Sequence, residues 1–185
     1  MIRTGRLHLR PLVEGDREWL RAQSASPEVM EHLGGPQPAE ACDARMDYMM
    51  QLQAERGFSF WLVEPADPGI SGPTRMGICG LKLFDAPNAT LPAEYEIGWR
   101  FDPPFWGQGY AREAAEAALA HAFDVLRAER VVALTTIGNT ASWGLMERLG
   151  MTRRPDLDFS DPRYEPPEDW TIVYLIERPT GVETA

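Results

Sequence analysis

The stretch PPFWGQGYAREAAEAALAHAFDVL, residues 103–126, places Gly107 and Gly109 immediately ahead of a long alanine-rich helix. A loop stripped of side chains that runs into a helix N-terminus exposes backbone N–H groups at the positive end of the helix dipole. Such an arrangement suits a negatively charged ligand. The helix supports this reading. Ala111, Ala114, Ala115, Ala118 and Ala122 form a small-residue face able to lie close against a sheet, with Arg112, Glu116 and Asp124 on the other side. Glu113 and Glu116 complement the N-terminal dipole. Arg112 does not, and a cation there makes sense if an anion docks beside it. The plainer alternative is a helix start that uses glycine only for a tight turn.

Outward from this helix the periodicity changes on both sides. AEYEIGWRF (93–101) and RVVALTT (130–136) read as strands, so residues 93–136 form a β-α-β crossover. NTASWGLMERLG (139–150) is a short helix opened by Asn139 as N-cap and closed by Gly150, and DWTIVYLIE (169–177) is the last strand. Upstream, FSFWLVE (58–64) and RMGICGLKLF (75–84) form an expected hairpin across the Pro- and Gly-rich residues 65–74, with turn residues at 85–92. The front is helical: EGDREWLRAQSA (14–25), SPEVMEHLG (26–34) and PAEACDARMDYMMQLQAERG (38–57). In the second, Ser26 fits as N-cap, Pro27 as the first helical residue and Gly34 as the stop. Met46, Met49, Met50 and Leu52 of the third read as core. RLHLRPL (6–12) alternates as a strand that Pro11 confines to an edge or an end. A helical front, an antiparallel meander and a crossover with a helix and strand appended is α+β, or mixed α/β.

Bulk numbers narrow the functional classes. At 185 residues, without repeat or composition break, the chain is expected to be one domain spanning 1–185. Hydrophobic content of 44% with 25% charged residues is that of a soluble globular protein. A formal charge of −10 argues against nucleic acid and accommodates a cationic substrate. MIRTGRLHLRPL lacks the apolar core of a signal peptide, and no run approaches a membrane span, so a cytoplasmic protein without a membrane partner is expected. Cys42 and Cys79 form no C-x-x-C pair, and His8, His32 and His121 are scattered, so no metal is expected. Ser59 and Ser142 lack G-x-S-x-G, and Cys79 within MGICGLKLF reads as buried strand.

The glycine loop fails two familiar tests. No Lys follows either glycine, which excludes a P-loop. A dinucleotide fingerprint would need a small residue where Arg112 stands, and Glu129, the acid at the right distance, opens the next strand instead of closing one. What remains is a shallow cradle in which N–H groups from about Gly107 to Arg112 converge on a pyrophosphate.

The segment EIGWRFDPPFWGQGYAREAAEAALAHAFDVLRAERVVALTTIGNTASWGLMERLGM (96–151) resembles the acetyl-CoA core of the GNAT N-acetyltransferases, above all the RimJ/RimL-like branch that acetylates ribosomal-protein N-termini. RLHLRPLVEGD and SPEVMEHLG match that branch too, and W-G-Q-G-Y-A and N-T-A-S…L-G-M are the most specific pieces. Trp106 stands where the family's broader loop pattern has Gln or Arg. The resemblance implies a GNAT fold: a twisted, mixed, mostly antiparallel sheet flanked by helices, whose strands at 93–101 and 130–136 splay apart to admit the pantetheine arm of acetyl-CoA. The implied cofactor contacts are Ile97, Trp99 and Phe101 along the splayed strand, Trp106, Gly107, Gln108, Gly109, Tyr110, Ala111 and Arg112 at the pyrophosphate, and Asn139 and Ser142 near the thioester. The implied activity is acetylation of a primary amine, a protein N-terminus or a small cationic amine, by direct attack in a ternary complex. A homodimer is compatible with it. The competing reading is a non-catalytic CoA-binding sensor of the same fold.

Two residues are candidates for the chemistry. Glu94 and Glu96, at i and i+2, project from one sheet face, and Tyr95, Ile97, Trp99 and Phe101 from the other. Glu96 is the candidate base, acting through water, against the alternative of a charged residue at a sheet edge. For Ser142 the resemblance implies protonation of the departing thiolate, and the alternative is a helix cap shared with Asn139. The segment RRPDLDFSDPRYEPPEDW (153–170) carries Asp156, Asp158, Asp161, Glu165, Glu168 and Asp169, a candidate acidic rim for cationic amines, with Phe159, Tyr164 and Trp170 as walls. The alternative is a solvated loop.

Overall fold

Alternation builds the sheet: Leu7 and Leu9 are fully buried while His8 and Arg10 between them are half-buried. The computed structural model describes residues 1–67, 74–87, 89–91, 95–166 and 169–179. Its strands are β1 (Ile2–Arg3), β2 (Leu7–Pro11), β3 (Phe60–Pro65), β4 (Gly77–Leu83), β5 (Tyr95–Phe101), β6 (Arg130–Thr136), β7 (Thr152–Arg153), β8 (Phe159–Ser160) and β9 (Trp170–Glu177). The helices are α1 (Arg17–Ala25), α2 (Pro27–Met30), α3 (Ala39–Arg56), α4 (Tyr110–Ala120) and α5 (Thr140–Arg148). The strands form one sheet in the order β1-β2-β3-β4-β5-β6-β9-β7, with β8 also on β9. Every pairing is antiparallel except β5 with β6, the two ends of the crossover. This is the expected α+β architecture.

The period-2 pattern divides the core between two faces. Trp61, Val63, Cys79, Leu81, Ile97 and Phe101 point to one side and pack on Ala114, Ala115, Ala118 and Ala122, so the alanine face lies on the sheet as expected. Leu62 and Ile78 point to the other and meet Leu20 of α1 and Cys42, Met46 and Met49 of α3. Met50 is only half-buried. Burial raises the Cys79 thiol well above the ordinary range, which fits a packing residue and no nucleophile. Asp16, fully buried, accepts hydrogen bonds from Arg10, Arg75 and the Val13 amide. Against the cost of burial, these bonds hold its carboxyl down to about 2.

Three expectations need correction. The helix over 26–34 closes after Met30. Ser26 caps it by accepting from the Val29 amide, but Leu33 and Gly35 both return to the Met30 carbonyl, and Gly34 and Gly35 sit at φ +81° and +73°. The helix over 110–126 is α-helical only to Ala120 and ends in a π-helical turn, His121–Val125, where the Leu126 amide bonds to the His121 carbonyl five residues back. The wider turn accommodates buried Ala122 and Phe123 and sets the His121 ring edge-on to Trp61 at 5.1 Å. The short strands β1, β7 and β8 were not anticipated. Each has two residues, too few for a periodic signal.

Candidate active site between two diverging strands

Among the described residues β5 and β6 share two bridged positions, Tyr95 with Val131 and Glu96 with Val132. Beyond them β5 stays with β4 through Phe101, and β6 stays with β9 through Thr136. Two parallel neighbours therefore part inside the sheet, as the resemblance implies. A cavity of about 990 Å³ opens along the gap.

The loop after β5 is pinned from both ends. The Trp106 indole donates to the Phe101 carbonyl at 2.7 Å, tying the loop to the strand. On the far side Arg6 reaches across to the Gln108 carbonyl (3.1 Å), pairs with Glu113 at 2.6 Å and lies 4.5 Å over the Tyr110 ring. Between these anchors Gly107 and Gly109 adopt φ +69° and +80°, a conformation L side chains rarely adopt. No atom lies within 4 Å of where a Gly107 side chain would start, and at Gly109 only Arg6 Nη2 does, at 3.5 Å. Backbone conformation, not crowding, requires glycine here. Glu113 is the first helical residue whose amide finds a carbonyl, that of Gly109 at 3.1 Å. Among the described residues no acceptor faces the amides from Gly107 to Arg112.

The expected site residues largely converge. Glu96, Ile97, Trp99 and Phe101 line the cavity from β5. Trp106, Gly107, Gly109, Ala111 and Arg112 line it from the loop and helix start, and Asn139 and Ser142 from the mouth of α5. Gln108 and Tyr110 do not: the Gln108 side chain folds back on the Pro104 carbonyl (2.6 Å), and Tyr110 packs on Phe105 and Arg6. Arg112 is half exposed and pairs with Glu116 at 2.8 Å. The cap of α5 belongs to Asn139, whose side chain accepts from the Ser142 amide at 3.2 Å. The Ser142 hydroxyl is not part of that cap.

Glu96 is largely buried, and its Oε2 lies 3.0 Å from Lys82 Nζ, directly across the β4–β5 ladder. Burial pushes its carboxyl above the usual range, and the Lys82 ammonium opposes this without reversing it. A carboxylate so placed is a better base than an exposed one. Glu94 lies outside the described residues.

Residues 6–152 match the family model described as an acetyltransferase (GNAT) domain. The chain belongs to the GNAT acetyltransferases, in the RimJ/RimL-like branch. This acetyltransferase is 29% identical over 185 positions to an FsC-acetyl coenzyme A-N(2)-transacetylase of Aspergillus fumigatus, covering 96% of this chain and 76% of that one. An acetyltransferase of Agrobacterium tumefaciens is 28% identical and superimposes with a TM-score of 0.79, over 95% of this chain and 93% of the other. A spermidine N-acetyltransferase of Vibrio cholerae, solved with CoA and spermine, is 18% identical and shares the fold, with a TM-score of 0.72 over 95% and 97% of the two chains. The enzyme uses acetyl-CoA to acetylate amines.

Along residues 153–170 the expected acidic rim is only partly assembled. Asp158 is bound by Arg153, Asp156 by Arg154, and Asp161, nearly fully buried, by Arg163. Phe159 is core, Trp170 is exposed, and of the three expected aromatics only Tyr164 lines the cavity. Glu168 lies outside the described residues. Three of the segment's carboxylates are taken up by its three arginines, and Glu165 and Asp169 pair with none of them, so the rim keeps a reduced excess of negative charge. Sequence reasoning missed Lys82, which only the ladder register places opposite Glu96, and Arg6, which clamps the glycine loop from about a hundred residues upstream. Among the described residues no helix is long and apolar enough to cross a membrane, and no cluster of His, Cys, Asp or Glu is arranged to hold a metal.

Proposed function

We propose that the enzyme transfers the acetyl group directly to a primary amine, with both substrates bound together in the gap between β5 and β6. One observation carries the reading: a single cavity joins the glycine loop, the open side of β5, Glu96 and Ser142. Acetyl-CoA supplies an activated acyl group as a thioester. The amides of residues 107–112 and the helix dipole suit its pyrophosphate. The Phe101 carbonyl already accepts from Trp106 and the Ile97 amide belongs to the last bridge with β6, so strand alternation leaves the Ile97 carbonyl and the outward backbone groups of Trp99 for the pantetheine arm. Holding both reactants together accounts for roughly 7–11 kcal/mol of the barrier, which lets the side chains do little. Glu96 takes the ammonium proton through water, and its raised proton affinity brings it nearer the working pH. An outward N–H near Trp99 faces the carbonyl oxygen as charge builds there. The Ser142 hydroxyl, free of the cap, gives a proton to the departing thiolate.

A screen of thiol release from acetyl-CoA against a broad amine panel tests this. Release with any amine supports transfer. Binding of acetyl-CoA with no release from any amine favours a CoA-binding sensor instead.

A further inference from the structure

β5 turns Glu96, Gly98 and Arg100 to the face opposite α4, because side chains alternate. At one end of the row stands Glu96 with its Lys82 partner. In the middle Gly98 has no side chain, and the Phe60 ring lies where one would be, 2.9 Å from a built Cβ. At the other end, about 13 Å along the strand from Glu96, Arg100 is buried to 8% exposure. Among the described residues none of its hydrogen-bond partners is charged: Nε donates to Gln23 Oε1 (2.7 Å), one terminal nitrogen to Ser24 Oγ (3.2 Å) and the other to the thioether of Met30 (3.2 Å). A guanidinium has five N–H donors, and a thioether is a weak acceptor. Asp102, the closest acid in sequence, is taken by Gln23 and Trp19.

A second cation stands nearby. Arg45, on the exposed side of α3, lines the same cavity, and among the described residues no carboxylate pairs with it. Burial lowers Arg100 to about 10 and the Arg45 charge lowers it further, while the smaller influences of Cys42 and Asp102 oppose this without reversing it. Arg10, Arg17, Arg21, Arg153, Arg154 and Arg163, among others, each have a carboxylate within 4 Å, whereas Arg3, Arg56, Arg127, Arg148 and Arg178 have none among the described residues, and of these five Arg148 alone borders the cavity. In a protein of formal charge −10, two unneutralised arginines at one end of one cavity need a further explanation. Glu28 and Glu31 also border the cavity, but both are exposed and neither pairs with Arg45 or Arg100. The third such cation, Arg148, sits apart on α5, on the side assigned above to acetyl-CoA.

We propose that Arg100 and Arg45 form a carboxylate-binding subsite, and that the acceptor is an amine bearing a carboxylate several bonds away from the nucleophilic nitrogen. This rests on the transfer reading above, which puts that nitrogen beside Glu96. A planar carboxylate meets the fork geometry of a guanidinium and gains most where one partner is already desolvated. The length of the row excludes α-amino acids, whose two groups are too close to reach both ends.

The test pairs 6-aminohexanoate with hexylamine as acceptors, and their acetylated forms, 6-acetamidohexanoate and N-hexylacetamide, as ligands of the CoA-loaded enzyme. Arg100 also staples α1 and α2 to β5, so the exposed Arg45 carries the substitutions. Wild type should use 6-aminohexanoate at least tenfold better in kcat/KM. Arg45→Gln should cut that preference severalfold through KM, with kcat little altered, and Arg45→Lys should restore part of it. In calorimetry 6-acetamidohexanoate should bind more tightly than N-hexylacetamide, with the difference reduced in Arg45→Gln. Equal use of the two amines together with equal binding of the two amides overturns the subsite, and so does a preference that Arg45→Gln leaves intact. No turnover of any amine, with Arg45-dependent binding of 6-acetamidohexanoate retained, defeats the proposed reaction and keeps the subsite.

Discussion

On the proposed reading, the two sides of β5 solve binding by different means. Toward α4 the enzyme works with backbone: two glycines at positive φ, a helix N-terminus whose first amides lack acceptors, and a strand whose neighbour has departed. Toward α1 and α3 it works with charged side chains, Glu96 on Lys82 and Arg100 on neutral acceptors, gathered from distant segments. The backbone side suits a ligand that is always the same, because amide geometry is set by conformation. The side-chain side suits a ligand that differs between relatives, because single substitutions retune it without disturbing the sheet.

The largest effect should fall on the side-chain face. Glu96→Gln is expected to lower kcat by roughly 100-fold with acetyl-CoA affinity unchanged, as steady-state kinetics and calorimetry would show. The sign of the pH dependence follows from burial: the base works ionised, so activity is lost as pH falls through a proton affinity raised above that of an ordinary Glu. Lys82 is the charge that opposes the rise, so Lys82→Met should move this acid limb to higher pH. A limb that does not move would separate Glu96 from the proton transfer.

Next comes the backbone face. Gly109→Val forces a β-branched residue to φ +80° and should weaken acetyl-CoA at least tenfold in calorimetry. Gly109→Asn, which tolerates this conformation and meets only ordinary contact with Arg6, should stay within a few-fold of wild type. Equal binding by Val and wild type would remove the cradle and with it the contrast.

Ser142→Ala should cost about tenfold in kcat while melting barely changes, because the cap is the Asn139 side chain. Asn139→Ala should lose about 1 kcal/mol of stability, or roughly 2–4 °C in Tm. A Ser142→Ala enzyme with normal kcat would leave that hydroxyl without a role. The smallest effect is expected at Arg112. It is half exposed and must leave Glu116 to meet an anion, so Arg112→Ala should weaken acetyl-CoA only about threefold, and less at high salt.

The same contrast explains what could be read beforehand. Gly107, Gly109, the alanine face and the Asn139 cap are local devices whose ligands lie within a few residues, so their spacing shows in a linear chain. The crossover was legible in the strand periodicity on either side of the helix, and the parting of its two strands only through the family resemblance. Lys82 opposite Glu96, Arg6 over Tyr110, and Gln23 and Ser24 under Arg100 depend on ladder register and helix docking, which no local pattern specifies. The acidic segment was only partly legible for the same reason. Its composition is visible, but the pairing of Asp158 with Arg153 and Asp161 with Arg163 emerges only when the loop folds on β9. The π-helical turn was hidden because HAFDV carries no local mark that distinguishes a five-residue hydrogen-bond step from a four-residue one.

Two strands that part company in mid-sheet leave an unfinished edge inside the molecule, the kind of row that elsewhere invites another chain to add itself. On the reading above, the pantetheine arm occupies that row, so the enzyme is most complete when its donor is present. A ligand held only by the folded form adds about 2.7 kcal/mol of stability at a hundred times its dissociation constant. The abundance of such a protein would then follow the cell's CoA supply: in starvation it would be lost to proteolysis and aggregation before it was ever switched off.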